Sequence, residues 1–277
     1  MNRKSIIEIM MMKLLDLFSG IGGFSLGMEA TKKIKTIAFC EKDEFCRKVL
    51  KKHWSNIKQY NDIRSINGKE ISADIVSGGF PCQPFSVAGK RKGTEDDRYL
   101  WDEMLRVITE VKPRWVVGEN VQGIINIDNG LVLRQVKTDL EAQGFQVQCF
   151  IIPASGIGAW HKRNRVWIIG CNVSNTIGKL SDGCSSTTRN SKTKFKGVEC
   201  DEGWDWNEVW SKTERCSEQD KYKTWWTIEQ QLRGVPDGLQ TGLDKDRTNR
   251  IKSLGNSICP QIAREIGLAI LKAEEDV

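Results

Sequence analysis

The chain has 277 residues with a net charge of +6 at neutral pH, enough to bury one large core or a core with a smaller companion, and basic enough to suit a polyanionic partner without demanding one. Its apolar runs all fall short of the ~18 residues that a membrane span needs. Nine cysteines, an odd number with no C-x-x-C pair, argue against a secreted disulfide framework.

In chain order, Met1-Asn2-Arg3-Lys4 leads through a short apolar stretch holding Glu8 into a strand, with no secretory pattern. The expectation is a soluble cytoplasmic protein with reduced thiols and no membrane contact. Short apolar runs predict strands at Lys13–Phe18, Lys35–Phe39, Ala73–Ser77, Arg114–Gly118, Gln146–Ile151 and Arg165–Ile169, with a further strand segment ending at Asp62. Helical patterns fall between them at Glu44–His53, Trp101–Val111 and Leu131–Gln143. This alternation reads as an α/β fold, a doubly wound, mostly parallel sheet. After Cys171 the composition turns to Ser, Thr, Lys, Asp and Gly. Trp204, Trp206, Trp210, Trp225 and Trp226 supply apolar area there, so a small loop-rich module is expected rather than a disordered insert. Cys171, Cys184, Cys200 and Cys216 share that region, but their spacing is not a zinc pattern and His53 and His161 lie elsewhere, so no metal is expected. From Ser257 a helix returns with Ile258, Ile262, Ile266 and Ile270 on one face, packing back onto the first domain. The division expected is 1–170 plus 251–277 for the larger domain and 171–250 for the smaller.

Four places carry chemistry. The stretch from Leu15 to Gly27 is a strand, a glycine-rich turn (Ser19-Gly20-Ile21-Gly22-Gly23) and a helix start, which lets a ligand approach bare backbone. Ser25 stands where a dinucleotide fingerprint has its third glycine. Glu41 ends the second strand, placed to take ribose hydroxyls, and Asp62 can line the same crevice. These features suit nicotinamide and S-adenosylmethionine equally. Cys82, in Gly78-Gly79-Phe80-Pro81-Cys82-Gln83-Pro84-Phe85-Ser86, is held between two prolines at a strand end, where neither helix nor sheet can continue; it reads as a presented nucleophile. Glu119 follows a wholly apolar strand, so partial burial and a raised pKa are expected. His161-Lys162-Arg163-Asn164-Arg165 precedes another strand, and its alternating arginines are expected on one side of the chain.

Taken in order, Asp16-Leu17-Phe18-Ser19-Gly20-Ile21-Gly22-Gly23, Pro81-Cys82-Gln83, Glu119-Asn120-Val121, Arg163-Asn164-Arg165 and Gly255-Asn256-Ser257 resemble the DNA (cytosine-5) methyltransferases. The likeness covers 12–170 and about 250–272. It implies a Rossmann-like methyltransferase fold with a target-recognition domain, S-adenosylmethionine as cofactor, and double-stranded DNA as partner of a monomeric enzyme. Phe18 would pack on the cofactor, with Ser19, Gly20, Gly22 and Gly23 forming its crevice. Glu41 would bind the ribose, Asp62 and Ile63 the adenine, and Asn256 and Ser257 would close the pocket. Cys82 would add to cytosine C6, Glu119 would serve N3, and Arg163 and Arg165 would steady the base. Ser86, Lys90 and Arg91, in a loop the resemblance makes mobile, would touch the DNA strand, and the target base would be flipped. His161 stands where the family commonly has glutamine. The stretch from Val166 to Leu254 is shorter than usual, with Leu232–Leu239 and Arg247–Lys252 as the remnants of the family's later motifs. RNA methylation by the same site, or a non-catalytic DNA-binding regulator, are the other readings; Pro81-Cys82-Gln83 without a Cys-Phe-Thr motif favours DNA.

Overall fold

The computed structural model describes residues 11–81, 100–159, 161–172 and 246–275. Within them a seven-stranded sheet has the order β3-β2-β1-β4-β5-β7-β6. The strands are β1 Met12–Leu17, β2 Ile34–Cys40, β3 Lys58–Tyr60, β4 Ile75–Gly78, β5 Trp115–Val121, β6 Phe145–Pro153 and β7 Asn164–Asn172. β1 to β5 pair in parallel, and β7 runs antiparallel between β5 and β6. The helices are α1 Gly23–Glu29, α2 Glu44–His53, α3 Trp101–Val111, α4 Leu131–Ala142, α5 Arg247–Asn256 and α6 Pro260–Glu275. None is long and apolar enough to cross a membrane.

Side-chain alternation along each strand divides the core into two layers. Leu15, Leu17, Val76, Val116, Val166 and Ile168 face one cluster with Trp101, Met104 and Leu140 of α3 and α4. Met12, Leu14, Ile75, Trp115, Val117 and Trp167 face the other, with Phe24 and Met28 of α1 and Ile262, Ala263 and Ile266 of α6. Ile262, Ile266 and Ile270 of the stripe read from Ser257 onward are therefore on the face of α6 that closes the sheet, and Ile258, just before the helix, is buried with them. Pro260 opens α6, a position where its missing N–H costs nothing.

Three expectations shift. β3 ends at Tyr60, not at Asp62; Asp62 instead caps a 3-10 turn, accepting from the Arg64 N–H at 2.9 Å. The helical pattern expected from Ser257 begins at Pro260, because Ser257 is extended (φ -69, ψ 144) where it caps the additional helix α5. β7 begins at Asn164, and Arg163 lies outside it with φ 33, so strand alternation does not reach that arginine.

Candidate active site

The strand order turns around between β1 and β4, the place where open α/β sheets bind ligands beyond the carboxyl ends of their strands. The ends of β1 to β5 gather at this edge, and β7, running the other way, brings its first residues to it.

The glycine turn follows β1. Phe18 (φ 50) and Gly20 (φ 54) are both left-handed, and strain of that kind in a non-glycine residue such as Phe18 persists only where its surroundings over-determine it. Ser19 supplies part of that determination: its Oγ donates to the Asp16 carbonyl at 2.6 Å, and its N–H donates to the Cys40 carbonyl at 3.0 Å, tying the turn to the end of β2. Gly22 (φ 88) caps α1, and a Cβ there would lie 2.7 Å from the Trp54 ring, so space and backbone both demand glycine. Glu41 holds the turn from the other side. One carboxylate oxygen accepts from Gly20 N–H and the other from Asp43 N–H, each at 2.7 Å. Both oxygens keep a second lone pair, and a Cβ placed on Gly20 meets nothing within 4 Å, so this acidic rim has open space before it. Such acceptors can take the hydroxyls of a diol. Asp62 is half-buried one strand further out, while Ile63 buries its side chain in the core and gives its carbonyl to Arg106 at 2.9 Å. That carbonyl also accepts from the Ile66 N–H at 3.1 Å, so of Ile63 only the main-chain N–H is left for a ligand.

Beneath the turn is a buried carboxyl, Asp16, to which the sequence motif assigns no role. Asp16 occupies a core-facing position of β1, fully buried, and accepts from Ser25 Oγ of α1 at 2.8 Å and Ser77 Oγ of β4 at 3.0 Å. Burial raises its pKa to about 7, with the two hydroxyls pulling the other way. The signal was available: an acidic residue at an inward position of an apolar strand must find partners.

Glu119 lies near the end of β5 on the same face. Its side chain is 12% exposed and accepts from Arg165 Nε at 2.9 Å. Burial pushes its pKa up to about 7, while first Arg165 and then Arg163 pull it down. Its Oε2 is 3.4 Å from where a Cβ on Gly79 would stand, three residues ahead of Cys82 in the chain. The next residue is Asn120, which the motif Glu119-Asn120-Val121 contains without a role of its own. It is buried, and its Nδ2 donates to the Phe80 carbonyl at 2.8 Å, fixing the backbone two residues before Cys82.

The two arginines take different hydrogen-bond partners. Arg165 pairs with Glu119, whereas Arg163 Nη2 donates to the carbonyls of Gly255 at 2.8 Å and Ser257 at 2.7 Å. Arg163 precedes the strand, yet both guanidinium charges act on the Glu119 carboxyl. Ser257 reaches the glycine turn: its Oγ is 3.1 Å from the Cβ position of Gly23, while Asn256 is exposed at the end of α5. The structure thus joins Ser19, Gly20, Gly23, Glu41 and Ser257 around one rim, and Glu119 and Arg165 beside it. Cys82, Ser86, Lys90 and Arg91, and residues 173–245 of the expected smaller domain, lie outside the described residues. Among the described residues, Cys40 next to the rim is no rival nucleophile, since burial first and Glu41 second push its thiol up to about 12. No group of metal-ligating side chains occurs among the described residues.

Type II methyltransferase M1.ScrFI of Lactococcus lactis subsp. cremoris is 35% identical over 188 residues, 67% of this chain and 48% of that protein. Type II methyltransferase M.HgiCII of Herpetosiphon aurantiacus is 35% identical over 161 residues, 57% of this chain and 37% of its own length. The chain thus spans about half, or less, of the curated relatives it matches. In fold it is similar to S. pombe Dnmt2 methyltransferase, with a TM-score of 0.61 at 15% identity over 95% of this chain and 99% of that one. The description of the C-5 cytosine-specific DNA methylases matches residues 12–230, and the chain, with its Rossmann-like methyltransferase sheet, belongs to that family.

Proposed function

We propose that the chain methylates C5 of a cytosine flipped out of duplex DNA, as the modifying enzyme of a restriction-modification system or of a phage that protects its own DNA. The observation that carries this reading is Glu119. A carboxyl pushed up to about 7, paired at 2.9 Å with an arginine and packed against the backbone that leads into Cys82, suits a proton donor to a base ring.

C5 of cytosine is a poor nucleophile until a thiolate adds at C6. In this proposal Cys82 makes that bond, and Glu119 delivers a proton to N3 as the ring electrons move onto C5. Arg165 holds Glu119 and the base carbonyl in register. Once C5 has been methylated, loss of the C5 proton restores the double bond and expels Cys82. S-adenosylmethionine, when bound, supplies the methyl group as a sulfonium. The residues proposed to hold it are Phe18, the turn Ser19, Gly20, Gly22 and Gly23, the rim carboxylates Glu41 and Asp62, the main chain of Ile63, and Asn256 with Ser257. Ser86, Lys90 and Arg91 are proposed to contact the DNA backbone, and residues 171–250 to read the bases.

The test is to incubate the protein with S-adenosylmethionine and duplex DNA bearing 5-fluorocytosine, alongside the matching RNA. Fluorine cannot leave C5 as a proton does, so the covalent species accumulates. A denaturation-resistant adduct on DNA that disappears in Cys82→Ser is the expected result. An adduct on RNA alone would move the substrate to RNA. No adduct on a broad pool of duplex sequences, with cofactor binding confirmed, would overturn the reading.

A further inference from the structure

We infer that Arg163 is a positioning residue: it clamps residues 255–258 against the glycine turn and so sets cofactor affinity, rather than acting on the base; this rests on the proposed function.

Three observations converge on that short segment, which leaves the end of α5 and enters α6. On one side Arg163 Nη2 reaches two of its carbonyls, Gly255 and Ser257. Gly255 lies in the last turn of α5, where carbonyls have no partner within the helix and a cation is favoured. The same guanidinium group therefore caps a helix and holds the linker that follows it. On the second side the segment is pressed onto the start of α1: a Cβ on Gly23 would come within 2.6 Å of the Ile258 carbonyl and 3.1 Å of Ser257 Oγ. On the third side Ile258 Cδ1 is 3.6 Å from the Cβ position of Gly79, at the end of β4.

The segment is thus a wedge between the cofactor turn and the backbone leading to Cys82. Arg163 attaches it to the chain just before β7. Its Nη2 is directed at two main-chain carbonyls, so this contact acts through the position of Ser257 and Ile258 against Gly23, beside the charge it presents to Glu119. Arg165, two residues later, is tied to Glu119 instead.

The experiment measures S-adenosylmethionine binding to the full chain by calorimetry, without DNA, together with the rate of the 5-fluorocytosine adduct at saturating cofactor. Arg163→Ala should weaken cofactor binding about tenfold or more, the scale of one hydrogen bond from a charged donor. Arg163→Lys, which can reach one of the two carbonyls, should recover part of the loss. Gly23→Ala should weaken binding by displacing the wedge from its other side, and adding Arg163→Ala to it should cost less than Arg163→Ala alone. Thermal melts identify any variant that fails to fold, and the lysine variant keeps the test alive if the alanine variant does. Binding within twofold of the parent in folded Arg163 variants, or an adduct rate that falls further than the affinity, would overturn the inference. A parent chain that neither binds the cofactor nor forms the adduct would instead remove the proposed function.

Discussion

Replacing Arg165 by methionine removes the charge 2.9 Å from Glu119 while keeping apolar bulk in a partly buried position. Burial alone raises the Glu119 carboxyl, and the arginines hold it back to about 7. Losing the nearer arginine should therefore raise it by about one unit or more, the usual effect of one opposite charge at contact. If Glu119 donates a proton to cytosine N3, the reaction needs its protonated form, which falls to about one tenth at pH 8 in the parent. The alkaline limb of the rate profile should then bend near pH 7 in the parent and at least a unit higher in Arg165→Met, even though the height of the profile drops. Initial methylation rates from pH 6 to 9, with a carbon-13 titration of Glu119 alongside, give both quantities. Glu119→Gln keeps a hydrogen-bond donor but has no proton to transfer, and should slow the reaction roughly a hundredfold or more. An alkaline limb that stays in place in Arg165→Met, or persists in an active Glu119→Gln enzyme, would refute the assignment.

Asp16 makes a separate prediction about stability. Its folded pKa of about 7 lies above its unfolded value, so its contribution is complete below about pH 4 and is lost as pH rises through 7. Between pH 5 and pH 8 this amounts to about 2–3 kcal/mol; Asp16→Asn should lose that much less stability than the parent in urea titrations at the two pH values, and equal losses would contradict it. Asn120→Ala leaves the buried Phe80 carbonyl without its 2.8 Å partner. It should cost about 1–3 kcal/mol in a denaturant melt and slow adduct formation at Cys82; an unchanged adduct rate would show that the backbone before Cys82 is held by other means.

Much of the sheet was legible in the sequence because each strand is a short apolar run with turn residues at its ends, and parallel strands buried on both faces need little more. The rim was legible for a related reason: glycines at Gly20 and Gly22 and an acid at Glu41 have few structural uses together. What escaped were the polar residues inside strands. Asp16 and Asn120 sit at buried positions whose partners, Ser25, Ser77 and the Phe80 carbonyl, are 9 to 61 residues away in sequence. No local pattern reveals such pairs. The separate fates of Arg163 and Arg165 were hidden likewise, since alternation holds only inside a strand and the left-handed backbone at Arg163 is not encoded by its residue type.

The covering of α1 by α6 has a consequence for synthesis on the ribosome. Phe24 and Met28 are made early, while Ile262, Ala263 and Ile266, which bury them, emerge about 240 residues later. At about 5–20 residues per second, the nascent chain carries an open apolar face for roughly 12–50 s. The wedge at Ser257 and Ile258 arrives in the same late interval. On the reading above, no cofactor rim is complete, and no DNA can be modified, until residues 255–266 have been translated.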